Sequence, residues 1–512
     1  MELELKKEHY ACYQACPEQH DMHEESTETI VPDYCPDVAR IVDADACLLI
    51  RRCEHSDGKA SVSALVRVNV LYMTEDAKGL RSLTYTLPIE HTFEGKLSER
   101  CAEIDVSGSV ESCDVRLLNP RKLLTRVAVS LTLRPYERVT LSPCAELEPV
   151  QDCRVETLCE SCEAELLCAV REKEFTVAEE LTLPGGREPI RELLRSGCEA
   201  RLTECKCVGG KILLKGVASV SILYLSDSGS VLVYEEEIPF SQIAEGTEDG
   251  SDADCEYSVT LTGCEIVSGG EEGDDGRTVT VKLFLRAFLM LRSQETIRCI
   301  TDLYSTTHDL TPRTEELMFT RSCKRLICRA SVREQVDTGV DIGSILRAAV
   351  DFSDASVTQN EDMASLRATA VIRMLYLDEN GVPLLSEKRC EVTAEEKTAP
   401  GSHLSLLGVS CAEVDARANA TGAEVRFTAE FTLLCCDNVR MRSLSEVTVA
   451  ERTEEEGSAP SLVLRAIGNG EKLWDLAKHY RTTVVDILEA NELAADAAVP
   501  TGQMLLIPRS RA

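Results

Sequence analysis

Cysteine and histidine give this chain its most obvious chemical reach, and four of them lie close to its start: Cys12, Cys16, His20 and His23, spaced x3, x3 and x2. Thiolate and imidazole donors of this kind can build a tetrahedral zinc site. The spacing follows no standard zinc pattern and no paired knuckle follows, so residues 1–27 read as a polar, flexible N-terminal tail. A second thiol pair, Cys159-Glu160-Ser161-Cys162, is a lone C-x-x-C without the βαβ context of a redox motif. The acidic, glycine-rich stretches at 245–254 and 271–276 lack calcium-loop spacing and read as solvated loops. The remaining cysteines, of 24 in all, are scattered. Without an export signal they read as small reduced hydrophobes, with disulfides the minority expectation. No G-x-S-x-G elbow, phosphate loop or H-E-x-x-H helix occurs, so the chain reads as non-enzymatic, with no metal and no cofactor.

Whatever these side chains do, a repeated strand must position them. Val68-Asn69-Val70-Leu71-Tyr72-Met73, Val220-Ser221-Ile222-Leu223-Tyr224-Leu225 and Ile372-Arg373-Met374-Leu375-Tyr376-Leu377 write one pattern three times, with the tyrosines spaced by 152 residues. Self-similarity at a fixed period marks repeated units, and a period this long means whole domains. An apolar triplet begins 34 residues before each tyrosine: Val38/Ile41/Val42, Ile190/Leu193/Leu194 and Ile342/Ile345/Leu346. Its i, i+3, i+4 spacing predicts a short helix in each unit, started in the first by Pro36 with Asp33 and Asp37 near its positive end. Between 62 and 72 every second residue is apolar, the period of a half-buried antiparallel strand. Turn signals at 75–79, 226–229 and 378–381 predict hairpins that pair 83–88 and 231–240 back on it. Further strands are legible at 127–133, 279–285 and 425–431. The fold class is therefore mainly β, with three tandem antiparallel units of sandwich or barrel type.

At 512 residues the chain suits three or four domains, and 44% hydrophobic residues is ordinary for folded protein. Asp and Glu outnumber Lys and Arg by 88 to 55, a net −33. That charge repels phosphates and anionic membranes over a Debye length of roughly 8 Å, which argues against nucleic acid as a partner. The first residues alternate charge with isolated leucines, so no signal peptide is expected. No run approaches the roughly 18 apolar residues of a membrane span, so a cytoplasmic location is expected.

The opening Val31-Pro32-Asp33-x-x-Pro36-Asp37-Val38, followed by the Val68-x-Val70-Leu71-Tyr72 strand, resembles the SPOCS domain found in spore-coat proteins of Clostridia. The second copy keeps Pro189-Ile190 with Glu188 in place of an Asp, and the third keeps Asp341-Ile342 without the prolines. SPOCS-like repeats are accordingly expected at 28–142, 165–300 and 318–452, followed by an acidic linker at 453–460 whose Gly/Ser/Pro content suits a mobile tether.

Beyond the linker, 462–466 reads as a strand and Leu473/Leu476/Ala477/Tyr480 as the buried face of a helix. Val484/Ile487/Leu488 gives a second helix, with Asn491 as its left-handed C-cap, and 503–508 a closing strand. This βααβ module at 461–509 is similar to the LysM domain through Gly470-Glu471-Lys472-Leu473-Trp474, Leu476-Ala477, Asn491, and Gly502-Gln503 through Ile507-Pro508. The resemblance implies a shallow groove for peptidoglycan or other N-acetylglucosamine polymers. Gly470, Glu471, Lys472 and Leu473 would line one side, and Asn491, Glu492 and Leu493 the other. Glu471-Lys472 stands where Asp-Thr is common, which removes compact hydrogen-bonding groups and offers a long lysine to a protein partner. Trp474, beside Leu473 at the helix start, reads as core and not as a sugar platform. SPOCS repeats joined to a terminal LysM resemble the SipL-like family of spore coat morphogenesis proteins. That resemblance implies a scaffold in the mother-cell cytoplasm at the forespore surface, binding a SpoIVA-like coat ATPase through its LysM domain. The alternative is a peptidoglycan-binding protein of the cell wall or cortex.

Overall fold

Ala60, Val62, Ala64, Val66, Val68, Val70 and Tyr72 are each at most 2% exposed, so the alternation seen in the sequence becomes a buried row. The same phase buries Ala218, Val220, Ile222 and Tyr224, and then Ala368, Ala370, Ile372, Met374 and Tyr376. The structure is a computed structural model that describes residues 3–74, 79–148, 153–247, 250, 252–269, 275–451, 461–494 and 500–509. The expected linker at 453–460, the first hairpin turn at 75–78 and the acidic residues 271–274 lie outside the described residues.

Three β units follow one another. The first holds β1 (Leu5–Lys7), β2 (Tyr10–Ala15), β3 (Gln19–Ile30), β4 (Val38–Ser56), β5 (Lys59–Thr74), β6 (Leu80–Thr92), β7 (Cys101–Asn119), β8 (Lys122–Leu141) and β9 (Cys144–Leu147). The second holds β10 (Val155–Thr182), β11 (Ile190–Val208), β12 (Lys211–Ser226), β13 (Val231–Glu245), β14 (Asp254–Ser268) and β15 (Thr278–Ser305). The third holds β16 (Asp309–Asp337), β17 (Ile342–Asn360), β18 (Met363–Asp378), β19 (Pro383–Lys397), β20 (His403–Asn419) and β21 (Gly422–Ala450). The C-terminal module is β22 (Leu462–Ala466), α1 (Leu473–Tyr480), α2 (Val484–Ala490) and β23 (Met504–Pro508).

Each unit packs two antiparallel sheets face to face. One is a meander, β4-β5-β6, β11-β12-β13 or β17-β18-β19. The other sets β8, β15 or β21 between the leading strand and the strand that precedes it in sequence, as in β3-β8-β7, β10-β15-β14 and β16-β21-β20. Both meander pairings expected from the turn signals are present, and β8, β15 and β21 carry the later strands read from the sequence. The three tyrosines sit under these sheets and donate to the backbone that enters each unit: Tyr72 to Pro36 O at 3.4 Å, Tyr224 to Glu188 O at 3.2 Å and Tyr376 to Thr338 O at 3.5 Å.

The structure departs from the sequence expectations at several places. The triplets are not helices, because each opens the strand β4, β11 or β17 and brackets two register shifts, in β4 at Val38/Arg40 and Ile41/Asp43. A bulge adds one residue and flips the alternation, so two bulges in succession imitate helical spacing. The tail is not flexible chain, since residues 5–30 form β1 to β3 and pair along β8 and β9 as the leading strand of the first unit. By the same topology, positions 165 and 318 fall inside the leading strands β10 and β16. Asp33 and Asp37 cap no helix; Arg121 holds both at 3.0 Å and also donates to Cys35 O.

The meanders then close on one another as a ring: β4 contacts β19, β11 contacts β6, and β17 contacts β13. Head-to-tail contacts that close after three steps give a pseudo-threefold arrangement within one chain. Val42, Leu194 and Leu346 meet at its centre with Leu71, Leu223 and Leu375. A second shared core joins Cys12, Leu166, Cys299, Phe319 and Met441 from all three units.

Candidate partner-binding site

The C-terminal module closes around Ile467, Leu476, Ala477, Ile487, Leu505 and Ile507, with Leu473 and Leu493 partly buried against them. The strand–helix–helix–strand order matches the expectation, and β22 pairs antiparallel with β23. Helix α1 starts where Asp475 accepts the Lys472 N–H, and it ends on Arg481 in the left-handed conformation. Asn491 differs from its expected role. Its φ is −110°, and the left-handed residue is Glu492, at φ 54°. Asn491 instead donates to Ile487 O and Leu506 O, both at 2.7 Å, and accepts the Leu506 N–H at 2.8 Å. It thereby ties α2 to β23.

The loop from Gly468 to Leu473 is closed by Glu471, whose carboxylate accepts Gly468 N–H at 2.9 Å and the Arg465 guanidinium at 2.8 Å. Gly470 takes φ 74°, a value that favours glycine, and both Gly470 and Lys472 are exposed. Leu473 and Leu493 meet on the one small core, so the two expected rims share a support. Glu471 and Asn491 spend their hydrogen-bonding groups inside the module, while Lys472 and Glu492 face solvent.

Helix α1 turns its other face to the second and third units. Trp474 Nε1 donates to Asp302 at 2.8 Å and its ring stands edge-on to Tyr304 with centroids 4.9 Å apart. Lys478 bridges to Asp302 at 2.6 Å, Arg481 to Asp309 at 2.6 Å, and Tyr304 donates to Thr482 O at 2.7 Å. Burial opposes the charge on Asp302, but the Lys478 ammonium and the indole N–H outweigh it and hold the carboxyl below its usual range. Trp474 is thus packed between module and repeat, as core and not as a platform. Pairing across β22 and β23 places Leu462, Leu464 and Ala466 beside Pro508, Leu506 and Met504 on the outer face of the two-stranded sheet. Leu462, Leu464 and Met504 are 50%, 64% and 52% exposed there.

A charged cluster lies where the meanders meet. Asp43 is held by Arg195 at 2.6 Å and by Arg373, and Asp45 lies 3.5 Å from Arg373 and 3.7 Å from Arg347. Burial disfavours the Asp45 charge, yet the three guanidiniums prevail and hold its carboxyl below the usual range. Sequence reasoning passed over this cluster, although Asp43, Arg195 and Arg347 share the 152-residue spacing of the tyrosines.

The thiol and imidazole candidates are kept apart by strand geometry. Cys12 points into the shared core, where burial pushes its thiol up to about 11, while His20 sits 3.0 Å from Thr132 and His23 packs edge-on to His91. Cys159 and Cys162 join different apolar clusters along β10. Among the described residues no group of three or more His, Cys, Asp or Glu side chains is placed to hold a metal. Cys323 and Cys436, directly paired in register on β16 and β21, form a disulfide, which the minority expectation had not located.

Two segments, 37–118 and 189–267, match the family model described as SipL, SPOCS domain, and 467–508 match the LysM domain. Both matched families are non-catalytic, and the combination fits a sporulation-associated protein with a LysM module of the peptidoglycan-binding kind. No curated protein and no solved structure matches the chain. Among the described residues no helix is long and apolar enough to cross a membrane.

Proposed function

We propose that this chain is a non-enzymatic scaffold in endospore coat assembly, acting at the forespore surface in the mother cell, and that its LysM module makes a protein contact with a SpoIVA-like coat ATPase. One observation carries the reading: the outer face of β22 and β23 is apolar throughout and largely exposed, while the aromatic side chain that could stack on a sugar is turned to Asp302 and Tyr304. A contiguous exposed apolar face suits a protein partner better than a hydrated glycan. Gly470, Glu471, Lys472, Leu473, Asn491, Glu492 and Leu493 would form the adjoining rim. The three SPOCS-type units would supply further weak contacts, which tethering converts into avidity.

A glycan reading is favoured by the LysM match and by the exposed Gly470 and Lys472 at the expected groove. One comparison separates the two. Full-length protein and a Leu464→Asp/Met504→Asp variant are tested for recovery of the coat ATPase and for co-sedimentation with purified peptidoglycan. The protein-contact reading expects ATPase recovery to drop by about tenfold or more in the variant, the scale of a lost interface anchor. Recovery at the wild-type level with strong peptidoglycan sedimentation would replace it with the glycan reading.

A further inference from the structure

The two sheets of the second repeat meet along β11 and β14, where the backbone joins them by an isolated bridge of Cys207 with Ala253 at one end and by Ile190 N–H donating to Gly276 O at 2.7 Å at the other. Thiols span the same seam. Cys198 Sγ lies 3.1 Å from Cys264 Sγ, and Cys205 Sγ lies 2.8 Å from Cys255 Sγ. In each pair one cysteine belongs to β11 and the other to β14, and all four are partly exposed. We propose that these are two oxidation sites, at which a small-molecule disulfide converts the facing thiols into Cys198–Cys264 and Cys205–Cys255 disulfides and so closes the β11–β14 seam covalently.

The local chemistry suits the exchange. Arg67 from the first repeat reaches the seam, donating to Cys264 O at 3.1 Å and to Ser196 O at 3.4 Å. The Cys198 S–H and this guanidinium favour the Cys264 thiolate against the opposing effect of burial, which makes Cys264 the first nucleophile. Its thiolate attacks one sulfur of the oxidant RS–SR, forming a mixed disulfide and expelling RS⁻, which takes a proton. Cys198 then loses its proton to solvent and attacks the Cys264 sulfur, forming the protein S–S bond and releasing the second thiol. The protein dithiol gives up two electrons and the oxidant is reduced to two thiols. The second pair has its own access, because Cys205 and Cys255 line an open cleft of about 1170 Å³ beside β2. At the position of Cys198 the other repeats carry Ala46 and Val350, so the first cross-link is confined to the second repeat.

Full-length reduced protein is incubated with oxidised glutathione, its remaining thiols are blocked with N-ethylmaleimide, and it is cleaved without reductant by trypsin and a glutamate-specific protease. Arg201, Lys206 and Glu256 separate the cysteines concerned, so each link has its own mass. The expected result is both links, with Cys198→Ser losing only the first and Cys255→Ser only the second. Amides of β11 and β14 should then exchange at least about tenfold more slowly, reversibly with dithiothreitol. Quantitative alkylation of the four thiols after oxidation, glutathione adducts alone, or links from these cysteines to other partners would overturn the proposal.

Discussion

Asp43, Arg195 and Arg347 stand at one position of the repeat, yet the first copy carries a carboxylate where the other two carry guanidiniums. Three identical side chains would repel one another at a pseudo-threefold centre; the exchanged sign lets Asp43 pair with Arg195, while Arg347 reaches Asp45. Asp43 and Arg195 are 3% and 6% exposed, so neither charge has water to fall back on. Removing one partner of a buried pair leaves an uncompensated ion, whereas replacing all partners by apolar groups can be close to neutral. Asp43→Ala should therefore cost about 3–5 kcal/mol in a urea denaturation series. A combined Asp43→Leu, Asp45→Asn, Arg195→Met, Arg347→Met and Arg373→Met variant, which removes the carboxylates together with the guanidiniums that hold them, should recover most of that loss. A single variant within about 0.5 kcal/mol of wild type would mean that the cluster is solvated in solution.

At the scale of elements, the strand written three times serves two cores. Tyr224 faces into its own sandwich, while its neighbour Leu223, 2% exposed, faces the junction of the repeats. Leu223→Ala should lower stability by about 2–5 kcal/mol, as large-to-small core changes do, through the junction and not through the sandwich. Tyr224→Phe, which removes one hydrogen bond, should cost about 0.5–1.5 kcal/mol. Equal losses in the two, measured by the same denaturation, would show that Leu223 is not a junction residue. The strand itself was legible because its alternation lies in adjacent residues, and so were the strands and helices of the terminal module. The double bulges were not, because Val38, Ile41 and Val42 carry the same spacing whether a helix turns or a strand gains two residues. Nor was β3, an edge strand whose half-buried positions are filled by polar residues such as Asp21, His23 and Glu25. The site was legible as a module but not as a surface: Glu471 and Asn491 have the right types for binding, and only the fold shows them engaged inside.

For the whole molecule, the decisive contact joins residues about 170 positions apart, which no local pattern could announce. Asp302 and Asp309, at the passage from the second repeat to the third, take up Trp474, Lys478 and Arg481 of the module. This docking uses α1 and leaves the outer face of β22 and β23 exposed, so the placement of the module and the proposed partner contact are one arrangement. Trp474 is the only tryptophan in the chain, so its fluorescence reports this contact alone. Asp302→Ala should release the indole to water and shift its emission to longer wavelength, with far-UV circular dichroism unchanged. Lost charge-assisted bonds of this kind are worth about 1.5–3 kcal/mol, so docking should weaken by roughly one to two orders of magnitude. Because Asp302 is held below its usual range when docked, its contribution is full above the undocked carboxyl's value and is lost as pH falls through the docked one. Wild-type emission should accordingly stay constant from neutral pH down to about 4 and move red only below it. The Asp302→Ala protein should show the red-shifted emission at every pH. A wild-type spectrum already matching the variant at pH 7 would mean that the module is undocked in solution and that Asp302 does not hold it.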